Sequence, residues 1–81
     1  MVRVMLLHTV SVVIRGEIVD RAFFCSVDEA LGFAKVLRRH DVRCKTGVAE
    51  GVSSDCSCHA HSGVALMELT DLFIMTWQGV R

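Results

Sequence analysis

The chain has 81 residues, of which 52% are hydrophobic and 22% charged, and its mean hydropathy of +0.45 exceeds what a small soluble monomer needs. This length supports one modest core, so we expect a single domain over residues 1–81 and no disorder. Nine Lys and Arg balance nine Asp and Glu, and a net charge of zero argues against nucleic acid as a partner. The apolar surplus instead favours a homo-oligomer or a hydrophobic partner site.

Two apolar stretches resemble targeting or membrane segments only superficially. The run from Met1 to Ile14 contains polar residues and leads into a turn rather than a small-residue cleavage site. The stretch from Val64 to Trp77 is too short to span a bilayer and includes two acidic residues. We therefore expect a cytoplasmic protein with no membrane association, in which the four cysteines act as thiols or ligands in the first place and as disulfides in the second.

The first predicted structure is a β-hairpin from Val2 to Cys25. Two runs rich in valine, isoleucine and phenylalanine flank Arg15 and Gly16, which predict the turn. A regular register outward from that turn sets Val12 opposite Val19 and leaves both faces of the ribbon apolar. Such a ribbon needs a cover on each face, from helices or from a second copy of the chain.

A helix is predicted next, from Ser26 to about His40. Ser26 and Glu29 form a Ser-x-x-Glu capping box, in which two side chains satisfy backbone donors at the helix start. Basic residues at the other end suit the negative pole of the helix dipole. Spacings of three and four predict one buried stripe: Val27, Ala30, Leu31, Ala34 and Leu37.

Residues from Val42 to Val48 alternate in character and predict a third strand with one side facing solvent. Its inward residues would be Val42, Cys44, Thr46 and Val48. The polar segment from Ala49 to Gly63 predicts a loop, longer than a usual connection.

The C-terminal stretch from Val64 to Trp77 is compatible with a helix or with further strands. Helical spacing gathers an apolar stripe, and Ser62 and Gly79 stand where an N-cap and a left-handed terminator belong. The stripe consists of Leu66, Leu69, Phe73 and Trp77. We favour the helix, so the predicted fold class is α+β, with an antiparallel sheet built on the hairpin, the order β-β-α-β and a C-terminal helix.

Four potential metal ligands lie within six residues: Cys56, Cys58, His59 and His61. Thiolate and imidazole groups are ligands that zinc and copper prefer. Structural zinc sites usually draw ligands from two separated pairs, so a site here would need a distant ligand such as Cys25, His40 or Cys44. A redox pair of Cys56 and Cys58 is the other chemical hypothesis, although reactive dithiols usually have the Cys-x-x-Cys spacing.

No stretch carries a catalytic or cofactor motif, so we expect a protein that is not an enzyme and holds no cofactor. The leading hypothesis is a protein-binding module that occupies a partner's surface stoichiometrically, alone or as a homodimer. It would act as an inhibitor or adaptor, of the kind that mobile elements such as phages use against host machinery. Methionine and aromatic residues suit adaptable interfaces, which makes Phe73, Met75 and Trp77 the predicted partner-binding residues. The alternative is a zinc-binding, copper-binding or thiol-redox module built on residues 56–61.

Overall fold

The computed structural model describes residues 4–52, 56 and 65–81. Three strands and two helices follow one another in the order β-β-α-β-α. They are β1 (Met5–Ile14), β2 (Glu17–Phe24), α1 (Val27–Arg39), β3 (Cys44–Gly51) and α2 (Leu66–Trp77). The strands form one antiparallel sheet in the order β2-β1-β3, so the first strand of the hairpin is central. The predicted α+β class, the N-terminal hairpin and the C-terminal helix are confirmed.

The hairpin turns at Arg15 and Gly16, as predicted. Both residues have positive φ, 53° and 81°, which is the backbone of the tight turn that two-residue hairpins prefer. Glycine adopts this conformation freely, whereas an arginine adopts it at some cost. Ile14 then pairs with Glu17, which matches the expected register next to the turn.

A β-bulge beyond the turn makes the rest of the predicted register wrong. Val12 pairs with Asp20 rather than with Val19, because Val19 is an extra residue in β2. Arg21 thereby moves to the same face as Ser11, and its Nε donates a hydrogen bond to Ser11 Oγ at 3.1 Å. The bulge also gathers apolar side chains from both strands on the other face: Val10, Val12, Ala22 and Phe24. The face opposite these core residues is thus polar at Ser11 and Arg21, but it stays apolar farther from the turn, where Leu7 is buried and Phe23 packs against it.

Helix α1 covers the apolar face of the sheet with one buried stripe: Ala30, Phe33, Ala34 and Leu37. Phe33 lies at the centre of the core, with its ring centroid 5.2 Å from that of Phe24 and 5.1 Å from that of Phe73. It therefore contacts both the sheet and α2. Two residues assigned to the stripe from the sequence, Val27 and Leu31, are about half exposed, because they lie at the edge of the sheet rather than over it.

The ends of α1 agree with the sequence in position but not in every contact. Ser26 is the N-cap and has an extended backbone, yet among the described residues no side-chain hydrogen bond caps this end. Asp28 and Glu29 occupy the first turn, and Arg38 and Arg39 the last. The capping box thus predicts the start of the helix correctly. The side-chain hydrogen bonds expected between Ser26, Glu29 and the backbone are not formed in the part of the chain that the structure describes.

Strand β3 forms one edge of the sheet and is displaced from its predicted range. Val42 precedes the strand and is buried, with its backbone N–H donating to the Leu37 carbonyl at 3.0 Å. The residues from Ala49 to Gly51 belong to the strand and not to the predicted loop. Thr46 and Val48, assigned to the inward side, are exposed, because an open depression separates them from the start of α1.

Helix α2 begins at Leu66 with Ala65 at the N-cap, and the predicted cap Ser62 lies outside the described residues. Gly79 follows the helix with a φ of 72°, the left-handed conformation expected of a terminator. Phe73 is buried, and three further apolar residues of α2 pack partly against the core: Leu69, Ile74 and Trp77. No helix in the described ranges is long and apolar enough to cross a membrane.

Candidate functional site

Helix α2 has apolar residues around its whole circumference, interrupted only by Glu68, Thr70, Asp71 and Thr76. A helix that is apolar on all sides is usually buried on all sides. Here only the side that carries Phe73 is buried. The opposite side exposes three large apolar residues, which we call the α2 outer face: Met67 at 79%, Leu72 at 60% and Met75 at 84% exposure. The outer face is therefore apolar surface that the fold itself does not require.

A groove of about 400 Å³ lies between α1 and α2 and adjoins this outer face. Val36 of α1 and His40, the C-cap of this helix, line one side, and the other side is formed by α2 residues: Leu66, Met67, Thr70, Asp71 and Ile74. The Thr70 hydroxyl already donates to the Leu66 carbonyl at 2.7 Å, so it is engaged by the helix backbone. His40 and Asp71 are the groups that could orient a polar partner atom, while the rest of the lining offers mainly apolar contact.

The two helices beside the groove differ in charge, since the last turn of α1 carries Arg38 and Arg39. Helix α2 contains Glu68 and Asp71 but no lysine or arginine. The acidic side chains flank the exposed methionines along the helix, so an apolar surface bordered by positive charge would complement the outer face.

The three predicted partner-binding residues lie partly in the core and partly on the surface. Phe73 is 5% exposed and packs edge-on against Phe33. Trp77 is partly buried, and its Nε1 donates a hydrogen bond to Asp20 Oδ2 at 2.8 Å. Of the three, Met75 lies on the outer face. Met67 and Leu72 were not among the predicted partner-binding residues. Both are apolar, lie outside the predicted core stripe and share a side of α2 with the acidic residues Glu68 and Asp71.

Of the predicted metal ligands, Cys56 is described, while Cys58, His59 and His61 lie outside the described residues. Cys56 is 2% exposed and packs against Leu7, on the sheet face away from α1. Cys25 Sγ donates a hydrogen bond to Cys56 Sγ, with 3.0 Å between the two sulfur atoms. Within the ranges that the structure describes, no three His, Cys, Asp or Glu side chains converge as a metal site would require.

The other suggested distant ligands do not approach Cys56. Cys44 packs against the core on the α1 side of the sheet, and its Sγ donates to the Ala34 carbonyl at 3.7 Å. Burial raises the pKa of the Cys44 thiol, and the positive charge of Arg38 partly opposes this effect. His40 follows α1 and lines the helical groove. Cys25 is thus the distant cysteine that the fold brings to Cys56.

A second apolar depression, of about 220 Å³, lies between the start of α1 and β3. It is bordered by the exposed residues Val27, Leu31 and Val48. This depression is smaller than the groove beside α2, and its exposed side chains belong to two separate elements, α1 and β3. The α2 outer face is the more continuous apolar surface because its side chains project from a single helix.

Comparison of the chain with protein-family models, with curated proteins and with solved structures found no match. What the protein does has to be inferred from the chemistry of its own residues. Two features are candidates for a functional site: the α2 outer face with its groove, and the Cys25–Cys56 contact on the other side of the sheet.

Proposed function

We propose that this chain is a protein-binding module that occupies a partner's surface stoichiometrically, as an inhibitor or an adaptor. The observation that carries this function is the exposure of Met67 and Met75 on a helix whose opposite side is anchored in the core by Phe73. Burying one methionine side chain stabilises a complex by about 1.5–3 kcal/mol. Methionine is also flexible and polarisable, which suits a surface that adapts to its partner.

The partner chemistry that fits this surface is an apolar helix with basic flanking residues. A groove between two helices accepts the apolar side of a third, and α2 offers about 18 Å of length from its 12 residues. Lysine or arginine beside the apolar residues of the partner would complement Glu68 and Asp71.

A second copy of the chain is a less suitable occupant of the same surface. A symmetric dimer through α2 would place the Glu68 and Asp71 carboxylates of both copies in one interface, where like charges repel. The homodimer expected from composition is therefore the competing result that the experiment must distinguish. We also propose a cytoplasmic location, as expected from the sequence.

Capture from extracts of the source cells tests the binding surface. The baits are the wild type, Met75→Glu, and Val48→Glu as a matched control at an exposed apolar residue on β3. Circular dichroism and Trp77 fluorescence first establish that all three fold alike. We expect one protein to be recovered in nearly equimolar amount with the wild type and the control, and about tenfold less with Met75→Glu, which corresponds to about 1.4 kcal/mol.

Two results would contradict this function. Recovery that is equal with Met75→Glu and with Val48→Glu would show that the outer face does not bind the partner. Light scattering that finds a dimer of the 9.0 kDa chain, dissociated by Met75→Glu but not by Val48→Glu, would assign the surface to self-association instead.

A further inference from the structure

We propose that Cys25 and Cys56 form a modification site, at which exchange with a small-molecule disulfide such as oxidised glutathione converts the two thiols into an intramolecular disulfide. This site lies on the opposite side of the sheet from α1 and is independent of the binding function assigned to α2. The fold brings the two cysteines together although 31 positions separate them in sequence.

The hairpin places Cys25 on the side of the sheet where Cys56 packs. Cys25 directly follows β2, and it packs with Phe23, Met5 and Leu7 around Cys56. The sulfur atoms are 3.0 Å apart, about 1 Å more than the bond length of a disulfide. A small adjustment of the two side chains therefore suffices to form the bond, with no change in the pairing of the strands.

The two thiols differ in access, which determines the order of the steps. Cys25 is partly exposed, whereas Cys56 is buried. The Cys25 thiolate attacks one sulfur of oxidised glutathione, forms a mixed disulfide and releases the other half as glutathione thiolate. Cys56 then loses its proton to solvent, and its thiolate attacks Cys25 Sγ and displaces the second glutathione thiolate.

The reaction balances without any further reagent. Two protein thiols and one oxidised glutathione give one protein disulfide and two reduced glutathione molecules, which take up the two protons. The two electrons lost by the protein sulfurs reduce the disulfide of glutathione. An excess of reduced glutathione reverses the reaction, and the state of the site follows the square of the reduced glutathione concentration divided by the oxidised glutathione concentration.

Cys44 serves as the internal contrast. It lies on the α1 side of the sheet, where its thiol donates to the Ala34 carbonyl. Burial also keeps this thiol protonated to higher pH, and the thiol form is a poor nucleophile. We therefore expect Cys44 to remain reduced under conditions that oxidise Cys25 and Cys56.

The experiment equilibrates the reduced chain in buffers of graded reduced-to-oxidised glutathione ratio, quenches with acid, alkylates the remaining thiols and maps the tryptic peptides by mass spectrometry. Trypsin places Cys25 in peptide 22–35, Cys44 in 44–45 and Cys56 in 46–81. All proteins carry Cys58→Ser, because residue 58 shares the last peptide and lies outside the described residues. The expected product is peptide 22–35 linked to peptide 46–81, with Cys44 alkylated.

Two variants separate the proposed site from unspecific oxidation. Cys56→Ser should convert the product to Cys25 carrying one glutathione, whereas Cys44→Ser should leave the linked peptide unchanged. A population of linked peptide at least tenfold below that of singly glutathionylated chain, at every ratio tested, would overturn the proposal. A link from Cys44 to either cysteine in the folded protein would overturn it as well. Repeating the mapping with Cys58 restored tests the rival pair, and a predominant bond within peptide 46–81 would assign the redox chemistry to Cys56 and Cys58 instead.

Discussion

Replacing Phe73 by alanine should remove the main contact that holds α2 on the rest of the fold. The Phe73 side chain is buried, and its ring lies edge-on against Phe33 at 5.1 Å. Truncating a buried phenylalanine costs about 3–5 kcal/mol, a value that includes the lost aromatic pair and the cavity left behind. A chain of this length has a total stability of about 4–12 kcal/mol, so the loss is a large part of the whole.

Met75→Ala is the matched control, because it shortens another long side chain of the same helix. Met75 is exposed, so its truncation should change the free energy of unfolding by no more than about 0.5 kcal/mol. Urea unfolding is followed by far-ultraviolet circular dichroism and by emission of Trp77, the only tryptophan of the chain. Trp77 lies on α2 and bonds to Asp20, so its emission reports the docking of this helix.

The two probes distinguish global from local loss. If Phe73→Ala destabilises the whole fold, both transitions move to lower urea together. If it mainly releases α2, the fluorescence transition moves first and the measured cost is limited to the docking free energy of the helix. A midpoint for Phe73→Ala that equals that of Met75→Ala would refute the packing of α2 through Phe73, and with it the orientation of the outer face.

Two further predictions concern the turn and the buried thiol. Arg15→Asn should stabilise the fold by about 0.5–1 kcal/mol, because asparagine tolerates positive φ better than arginine. Gly16→Ala should destabilise the fold, because alanine is strained at positive φ. Urea midpoints of the two variants that move in the same direction would contradict this account of the turn. Because burial raises the pKa of Cys44, the folded state holds the thiol proton more tightly than the unfolded chain. Its contribution to stability is complete below the ordinary thiol pKa and is lost as pH rises through the folded value. The melting temperature of the wild type should therefore fall more steeply at alkaline pH than that of Cys44→Ala. Melting temperatures of the two proteins that change in parallel with pH would argue against a raised pKa of Cys44.

Most of the architecture could be predicted from patterns among residues close together in the sequence. The Arg15–Gly16 turn, the start of α1 after Ser26 and the left-handed Gly79 each depend on residues close to one another in the chain. Such features reflect local backbone preferences, which in natural sequences mostly agree with the global fold. They established the order of the elements and the α+β class.

The register of the hairpin and the two candidate sites required long-range information. The bulge at Val19 is favoured because it buries Ala22 and Phe24 under α1, and alternation along β2 does not by itself reveal that gain. The approach of Cys25 to Cys56 depends likewise on how distant segments meet on the sheet. The exposure of Met67 could be predicted only in part. Helical spacing places Met67 outside the apolar stripe that faces the core, but it does not show whether another element covers this residue.

The bulge in β2 also has a kinetic consequence, through Asp20. Because of the extra residue, Asp20 pairs with Val12 on the α1 side of the sheet, where its carboxylate accepts the Trp77 hydrogen bond across 57 positions of sequence. A hairpin that closed without the bulge would direct this carboxylate to the opposite side, and the last turn of α2 would lose its polar anchor. Contacts of such separation form slowly because a long loop must close first. We therefore expect the C-terminal helix to dock late in folding, after the hairpin has selected its register.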